Sequence, residues 1–531
     1  MQIKRLISVG ILICGCGLFG LDALAQNQSD NRVAAVVSDQ PLSVIDWLEQ
    51  NPAPATLTPV GMPKQTEPPI THSGTIPQVT VTELGQTQSR QVGLVPRAVT
   101  GLPGNIWFGS ETSRVSALLR RLPDLRLPAA RSLLFTLLLA EAEGPKGDAS
   151  QQDIFTLARV AALQRFGALD PAMSLIEQSG PTRDAAHFAT YMDLSLLIGS
   201  EDAACAILPS VPHLAPSYAH RVFCAARTGH WNDAALMLDT GRAVGVIPDA
   251  DADLLDRFLH PDAFEDAQPM PTPAKMTPLL FRLHETIGEP LSTRTLSREY
   301  AVADLRDLAG WKSQLEAAER LTRVGALPDN RFLGIYTARL PAASGGIWDR
   351  VEALQKFETA LGTGSTSAVE KTLPSAWRAM QAAQLEVAFA TLFADQLTGL
   401  TLSGSAGRIA FEMALLSPEY ETAKASGQQS NAGLYTAIAS GATDTLPQQT
   451  DPKARAVISG FSRQAAPADL SDMVAQNRLG ETILRTLKML DDGARGDLSS
   501  LTKALGTLRA LGLEDTARRA ALQVLLIEPI N

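Results

Sequence analysis

Three related heptapeptides recur in the first half of the chain: FGALDPA at 166–172, IGSEDAA at 198–204 and TGHWNDA at 228–234. A fourth, LGLEDTA, lies at 511–517. Each has glycine at its second position and alanine five residues later, which gives the pairs Gly167/Ala172, Gly199/Ala204, Gly229/Ala234 and Gly512/Ala517. Glycine is typical of the residue that ends a helix, and the acidic or polar residues after it favour the start of the next helix.

The interval between these glycines is nearly constant. Gly167, Gly199 and Gly229 are 32 and 30 residues apart, and Gly480 precedes Gly512 by 32. One helix pair cannot bury its apolar face alone, so this period predicts helix pairs stacked on neighbouring pairs. The sequence therefore predicts an all-α fold, arranged as an irregular helical-repeat α-solenoid. Such folds are typical of binding scaffolds.

The Gly-x4-Ala spacing resembles the tetratricopeptide repeat over residues 152–245 and in the last helix pair. This resemblance implies that the glycines and alanines let paired helices pack closely. The chain departs from the family pattern because the closing proline is shifted or absent and Arg485 follows Gly480 where alanine is expected. The overall plan also resembles exported proteobacterial proteins of unassigned function, which implies no catalytic residues.

The first 25 residues are typical of an export signal. Lys4 and Arg5 precede an apolar run, and cleavage is expected between Ala25 and Gln26. We expect an exported, periplasmic protein, with a retained membrane anchor as the alternative. No other apolar run reaches the length that a bilayer requires, so we expect no membrane span after signal removal.

A second alternative concerns two cysteines inside the signal. The tetrapeptide Ile13-Cys14-Gly15-Cys16 loosely resembles the box before the lipidated cysteine of bacterial lipoproteins. Lipidation at Cys16 would tether the protein to the outer membrane.

The charge balance excludes one class of partner. The formal net charge is −10, and no basic stripe is present. Nucleic acids and anionic membranes select clusters of Lys and Arg, so we expect neither as a partner.

Only Cys205 and Cys224 remain after signal cleavage. In an exported protein, two cysteines on adjacent helices predict one disulfide. The alternative is two buried free thiols.

Residues 26–104 are rich in Pro, Thr, Gln and Ser, so we expect a disordered tail. A short helix near 43–50 is predicted within it, carrying Ile45, Trp47 and Leu48. This apolar motif has no local core. We expect it to dock either on the protein's own helices or on a partner.

Three helical blocks are predicted beyond the tail, at 105–260, 274–425 and 453–531. A turn-rich stretch separates the first two. The Ser-, Gly- and Gln-rich stretch at 426–452 predicts a long surface loop.

No complete catalytic or metal-binding motif is present. The run Asp249-Ala250-Asp251-Ala252-Asp253 resembles the start of a calcium loop, but Leu254 and His260 replace its glycine and its glutamate. The Glu-Ser pair of lysozyme-like lyases is absent from the sequence. We therefore expect no cofactor and no enzymatic activity.

The sequence as a whole favours a non-catalytic periplasmic scaffold or adaptor that binds a protein or peptide. Two alternatives stay open. One is a regulator of cell-wall enzymes at the outer membrane, lipidated at Cys16, and the other is a degenerate peptidoglycan-active enzyme.

Overall fold

The computed structural model describes residues 91–425, 431–442, 449–463 and 465–527. The signal, its cleavage site at Ala25 and Gln26, Cys16, and the motif of Ile45, Trp47 and Leu48 lie outside these residues. The all-α prediction is confirmed, because the structure is 69% helical, with 23 α-helices in the described part. Two strands of two residues each are the only sheet found there, β1 (Gln91–Val92) and β2 (Ala142–Glu143).

Most of the helices follow one another through short turns. Those of the first half are α1 (Arg97–Thr100), α2 (Thr112–Arg121), α3 (Pro128–Leu139), α4 (Ala149–Phe166), α5 (Leu169–Ser179), α6 (Ala185–Ile198), α7 (Glu201–Ile207), α8 (Tyr218–Arg227), α9 (Trp231–Val244), α10 (Asp249–Leu259) and α11 (Pro278–Thr286).

Those of the second half are α12 (Trp311–Thr322), α13 (Asp329–Thr337), α14 (Ile347–Gly362), α15 (Thr366–Ala383), α16 (Glu386–Thr398), α17 (Gly404–Leu416), α18 (Ala432–Ser440), α19 (Pro452–Ser462), α20 (Ala468–Ala475), α21 (Leu479–Ala494), α22 (Leu498–Ala510) and α23 (Glu514–Leu526). A longer 3-10 helix, Arg298–Leu305, joins the two halves.

The four repeated glycines all adopt left-handed backbone conformations at helix ends. Their φ angles are 81° at Gly167, 88° at Gly199, 87° at Gly229 and 77° at Gly512. A residue with a Cβ is strained at such angles, which is why glycine ends these helices. The matching alanines lie in the second helix of each pair and are fully buried, at Ala172, Ala204, Ala234 and Ala517.

The packing extends beyond neighbouring helix pairs. Near the start of the described chain, α3 packs against α21 and α23 near its end. The backbone N–H of Ala129 donates to Gln523 Oε1 at 2.9 Å, and that of Arg126 to Asp491 Oδ1 at 2.9 Å. In a regular solenoid each repeat contacts only its neighbours, so the solenoid arrangement is not confirmed.

Gly480 does not end a helix, unlike the glycine in each heptapeptide. It lies in the first turn of α21, and a Cβ there would approach a ring carbon of Trp107 to 2.4 Å. Trp107 is fully buried between this glycine and Phe155, whose ring centroid lies 5.1 Å away. The 32-residue interval from Gly480 to Gly512 therefore does not connect two equivalent helix ends.

The predicted disordered tail, residues 26–104, extends too far along the sequence. Residues 91–104 are ordered, with β1 paired to β2 and Val92, Val95 and Leu102 buried. The fully buried Arg159 guanidinium donates to the carbonyls of Val92 at 2.8 Å and Leu138 at 2.7 Å. Because these contacts come from distant helices, the local composition of the segment did not reveal them.

The prediction of a long surface loop at 426–452 is wrong for residues 432–440, which are helical. Helix α18 lies there, with Leu434, Ile438 and Ala439 buried, and it packs on α23. The helix has only 9 residues, too few to be stable on its own, so its stability comes from this long-range contact.

Candidate partner-binding surface

The first two repeats are covered by residues 298–321, which run from the 3-10 helix Arg298–Leu305 into helix α12. We call these residues the covering segment. A Cβ on Gly167 would lie 2.5 Å from Leu321 Cδ2 and 3.4 Å from the carbonyl oxygen of Arg298. A Cβ on Gly199 would lie 2.8 Å from Arg306 Nη1. These two glycines therefore serve two purposes: they allow a left-handed turn and they leave space for another part of the chain.

Ion pairs hold this covering segment in place. Arg306 Nη2 lies 2.5 Å from Glu285 Oε1. Arg282 contacts Glu285 as well, and its Nε lies 2.9 Å from Oε1 of the buried Glu201, in the first turn of α7. The cover is thus joined to the second repeat by a chain of alternating charges.

The third repeat has no such cover. A Cβ on Gly229 would meet nothing within 4 Å. Helix α9 packs mainly on α8 and α10, through the fully buried Ala234 and the buried Leu238. The side of α9 opposite these contacts faces solvent.

That solvent side of α9 is apolar at its centre. Leu236, Thr240 and Val244 follow one another at four-residue intervals, which places them on one helix face. The exposed fractions are 67% for Leu236, 70% for Val244 and 53% for Val246 just beyond the helix. Trp231 is 48% exposed and lies on the flank towards α10. We call Leu236, Val244 and Val246 the α9 surface.

The surroundings of the α9 surface are acidic. Residues 229–266 contain nine Asp and Glu side chains but only two arginines, Arg242 and Arg257. Both arginines are already paired, Arg242 with Asp253 at 2.7 Å and Arg257 with Glu289 at 3.1 Å. Residues 229–266, which include the α9 surface and are called the acidic rim below, therefore carry an excess of negative charge.

Two features fix α8 and α9 in position. The predicted disulfide is confirmed: Cys205 of α7 is bonded to Cys224 of α8, with Cα atoms 4.8 Å apart. Phe258 of α10 lies between Phe223 and Trp231, at centroid distances of 5.4 and 5.7 Å. The bridge thus joins the covered second repeat to the open third one.

His220 lies in α8, the helix that also carries Phe223 and Cys224. Its Nδ1 lies 2.8 Å from the hydroxyl of Ser217, the residue that caps α8. Burial lowers the pKa of His220 to about 4. The ring is therefore neutral at physiological pH.

The acidic run at 249–253 forms the first turn of α10. Asp249 and Asp251 stand at its positive dipole end, a favourable position for carboxylates. Across the described ranges, no group of three His, Cys, Asp or Glu side chains is placed to hold a metal ion. The described helices also include none long and apolar enough to cross a membrane.

The α9 surface was only half visible in the sequence. Trp231, Ala234, Ala235 and Leu238 form one apolar stripe, and the structure buries Ala234 and Leu238 of it. Leu236 and Val244 lie outside this stripe. Large apolar residues in such positions were the sequence signal for an exposed apolar face. Nothing local indicated that the third repeat is uncovered, because its cover would come from another part of the chain.

No protein-family profile matches the chain, and no curated protein or solved structure is detectably similar to it. The tetratricopeptide resemblance stays a prediction.

Proposed function

We propose that this protein is a non-catalytic periplasmic scaffold that binds a protein partner on the α9 surface. One observation carries the proposal: in the uncovered third repeat, a helix presents Leu236 and Val244 to solvent, outside its buried face. Large aliphatic side chains in such a position contribute nothing to the packing of the fold. Covering them with a partner is favourable because it removes apolar surface from water. Each contributes about 1 kcal/mol when a partner removes it from water.

The charges around the surface define the partner's chemistry. Nine carboxylates against two arginines in residues 229–266 attract cations and repel acidic proteins. We infer a partner segment that combines Lys or Arg with apolar residues, such as a basic amphipathic helix. Steering by the acidic rim accelerates its association, and this acceleration weakens as salt is added.

The chain's own apolar motif is a poor occupant of this surface. Asp46 and Glu49 flank Trp47 and Leu48, so the motif carries the same sign of charge as the rim. Like charges facing each other oppose docking. The α9 surface therefore serves a separate partner, while docking of the Trp47 motif elsewhere on the protein is still an open alternative.

Site-specific photocrosslinking in cells tests the proposal. A photoreactive amino acid replaces Leu236 in one strain and Leu340, which is 83% exposed on a loop after α13, in a control strain. We expect a discrete adduct at 236 whose crosslinked peptide is basic and apolar, and none of it at 340. Equal adducts at both positions, or an acidic crosslinked peptide, contradict the proposal.

The enzymatic alternative and the tethered alternative have separate tests. We expect no clearing when the purified protein is run in a gel containing cell wall, and clearing would overturn the non-catalytic function. We expect no incorporation of labelled palmitate in cells, and labelling that Cys16→Ala abolishes would support the outer-membrane regulator instead.

A further inference from the structure

Three arginines act on one carboxylate where the second half of the chain meets α4: one contacts it directly, and the charges of the other two lower its pKa. Arg165 lies in the last turn of α4, Arg298 begins the 3-10 segment and Arg131 lies in the first turn of α3. The carboxylate is Asp124, in the loop between α2 and α3. Its side chain is 60% exposed, so the cluster opens to solvent on that side.

Phe166 organises two of the guanidinium groups. The Cζ atoms of Arg165 and Arg298 lie 5.2 and 6.0 Å from the centroid of its ring. Arg298 also reaches Asp124, with Nη2 to Oδ2 at 2.8 Å. One aromatic ring thus holds two like charges close together, beside a single opposite charge.

Three donor nitrogens of this cluster have no acceptor. They are Nε and Nη2 of Arg165 and Nε of Arg298, and all three are buried. Arg165 makes one hydrogen bond, from Nη1 to the carbonyl of Arg120 at 3.0 Å. A buried donor without a partner is costly, and its usual explanation is a bound water or ion.

The charges are unbalanced in the same direction. The hydrogen bond from Arg298 lowers the pKa of Asp124, so this carboxylate is ionised. Burial and the charge of Arg298 lower the pKa of Arg131 to about 10, which leaves it protonated at neutral pH. The other carboxylate that acts on Arg131, Asp491, is paired with Arg495 at 2.8 Å. Three cations therefore share one carboxylate, Asp124.

Structural explanations cover only part of this arrangement. The C-terminal end of α4 favours one cation by its dipole, and the Phe166 face attracts a guanidinium. Neither supplies a hydrogen-bond acceptor to the three nitrogens. An oxyanion supplies both the acceptors and the missing negative charge, because its oxygens match the forked N–H groups of arginine.

We propose that Arg165, Arg298 and Arg131 bind a dianionic oxyanion of the phosphoryl type. The anion enters beside the exposed Asp124, and the guanidiniums of Arg165 and Arg298 turn over the Phe166 ring to meet it. Its source is either free phosphate or the phosphoryl group of a larger molecule. The site is separate from the α9 surface, and either one stands without the other.

Binding is tested on the folded full-length mature protein with inorganic phosphate, by calorimetry and by thermal unfolding at fixed ionic strength against sodium chloride. We expect saturable binding and a raised melting temperature. Arg165→Gln weakens binding about tenfold, because it removes one charge-assisted contact. Asp124→Asn strengthens it several-fold, because the built-in carboxylate competes for the same guanidiniums. Arg378→Gln, at an exposed arginine of α15, leaves it unchanged.

A second arm identifies the source of the anion. Vesicles of phosphatidylcholine with about one third phosphatidic acid, whose phosphomonoester can carry two negative charges, are compared with pure phosphatidylcholine vesicles. Binding to the former alone, with the same dependence on Arg165 and Asp124, assigns the site to a lipid phosphoryl group. Phosphate binding without vesicle binding assigns it to free phosphate. No binding in either arm, or binding indifferent to Asp124→Asn, overturns the proposal, and the Asp124 variant keeps the test valid if Arg165→Gln fails to fold.

Discussion

The second and third repeats share one local motif but differ in what surrounds it. Gly199 and Gly229 both end a helix at nearly the same φ, and the alanine five residues later is fully buried in both. Gly199 lies against Arg306 of the covering segment, whereas nothing approaches Gly229. The motif thus defines the turn, and the rest of the chain decides whether the turn is buried or available.

This difference is the basis of our proposal that the first two repeats serve the fold and the third binds a partner. In the first two repeats, the surface beside the repeated glycine is covered by Leu321, Arg298 and Arg306 of the same protein. The third repeat keeps that surface free and lines it with exposed apolar groups and carboxylates. Four measurements distinguish the covered repeats from the open one, and the disulfide gives the largest expected effect.

Removing the disulfide should release the open repeat from the covered one. The Cys205→Ala, Cys224→Ala protein is expected to lose about 3 kcal/mol of stability, because a bridge across a loop of this length limits the unfolded chain. Amide hydrogen exchange should accelerate in α8 to α10 and stay unchanged in α4 to α6. Uniform acceleration would mean that the two repeats are not separate units.

Alanine at the repeated glycines should distinguish covered from open turns. Gly167→Ala is expected to cost about 3 kcal/mol, from backbone strain and from overlap with Leu321. Gly229→Ala is expected to cost about 1 kcal/mol, from strain alone. Urea unfolding of both proteins measures the difference, and equal losses would contradict the covering of the first repeat.

Acidic pH should act on the covered repeat through Asp193 of α6. Burial raises the pKa of Asp193 from 3.8 to about 6. The folded state therefore holds this proton more tightly, and stability falls as pH rises from about 4 to 6. Asp193→Asn should be about 2 kcal/mol more stable than the wild type at pH 7 and equal to it near pH 4. A constant difference across this range would exclude titration as the cause.

His220 should give the open repeat the opposite response. Its folded pKa of about 4 lies below the unfolded value of 6.5, so its contribution is complete above 6.5 and is lost as pH falls towards 4. His220→Gln should remove a loss of about 2 kcal/mol on acidification from pH 7 to 4.5. Hydrogen exchange in α8 at pH 7 and 4.5 provides the measurement. An unchanged loss in the variant would assign the effect to another group.

The sequence predicted local features better than long-range ones. Helix ends at Gly167 and Gly199 and the bond between Cys205 and Cys224 depend on residues close in the chain, and they were visible as spacing and residue type. The burial of Val92 by Arg159 and of Trp107 against Gly480 depends on residues far apart, so composition alone suggested disorder or a repeat. The exposure of Leu236 has the same origin, because it results from a cover that is missing.

The central claim is that the uncovered α9 surface is the place where this protein binds its partner. The most direct test is the affinity of the partner recovered at residue 236 for the Leu236→Asp, Val244→Asp protein, with Leu340→Asp as the control. The account predicts a loss of at least about tenfold in the double variant and none in the control, since two apolar contacts are replaced by charges that the partner must desolvate. Equal affinity for the two proteins would contradict it.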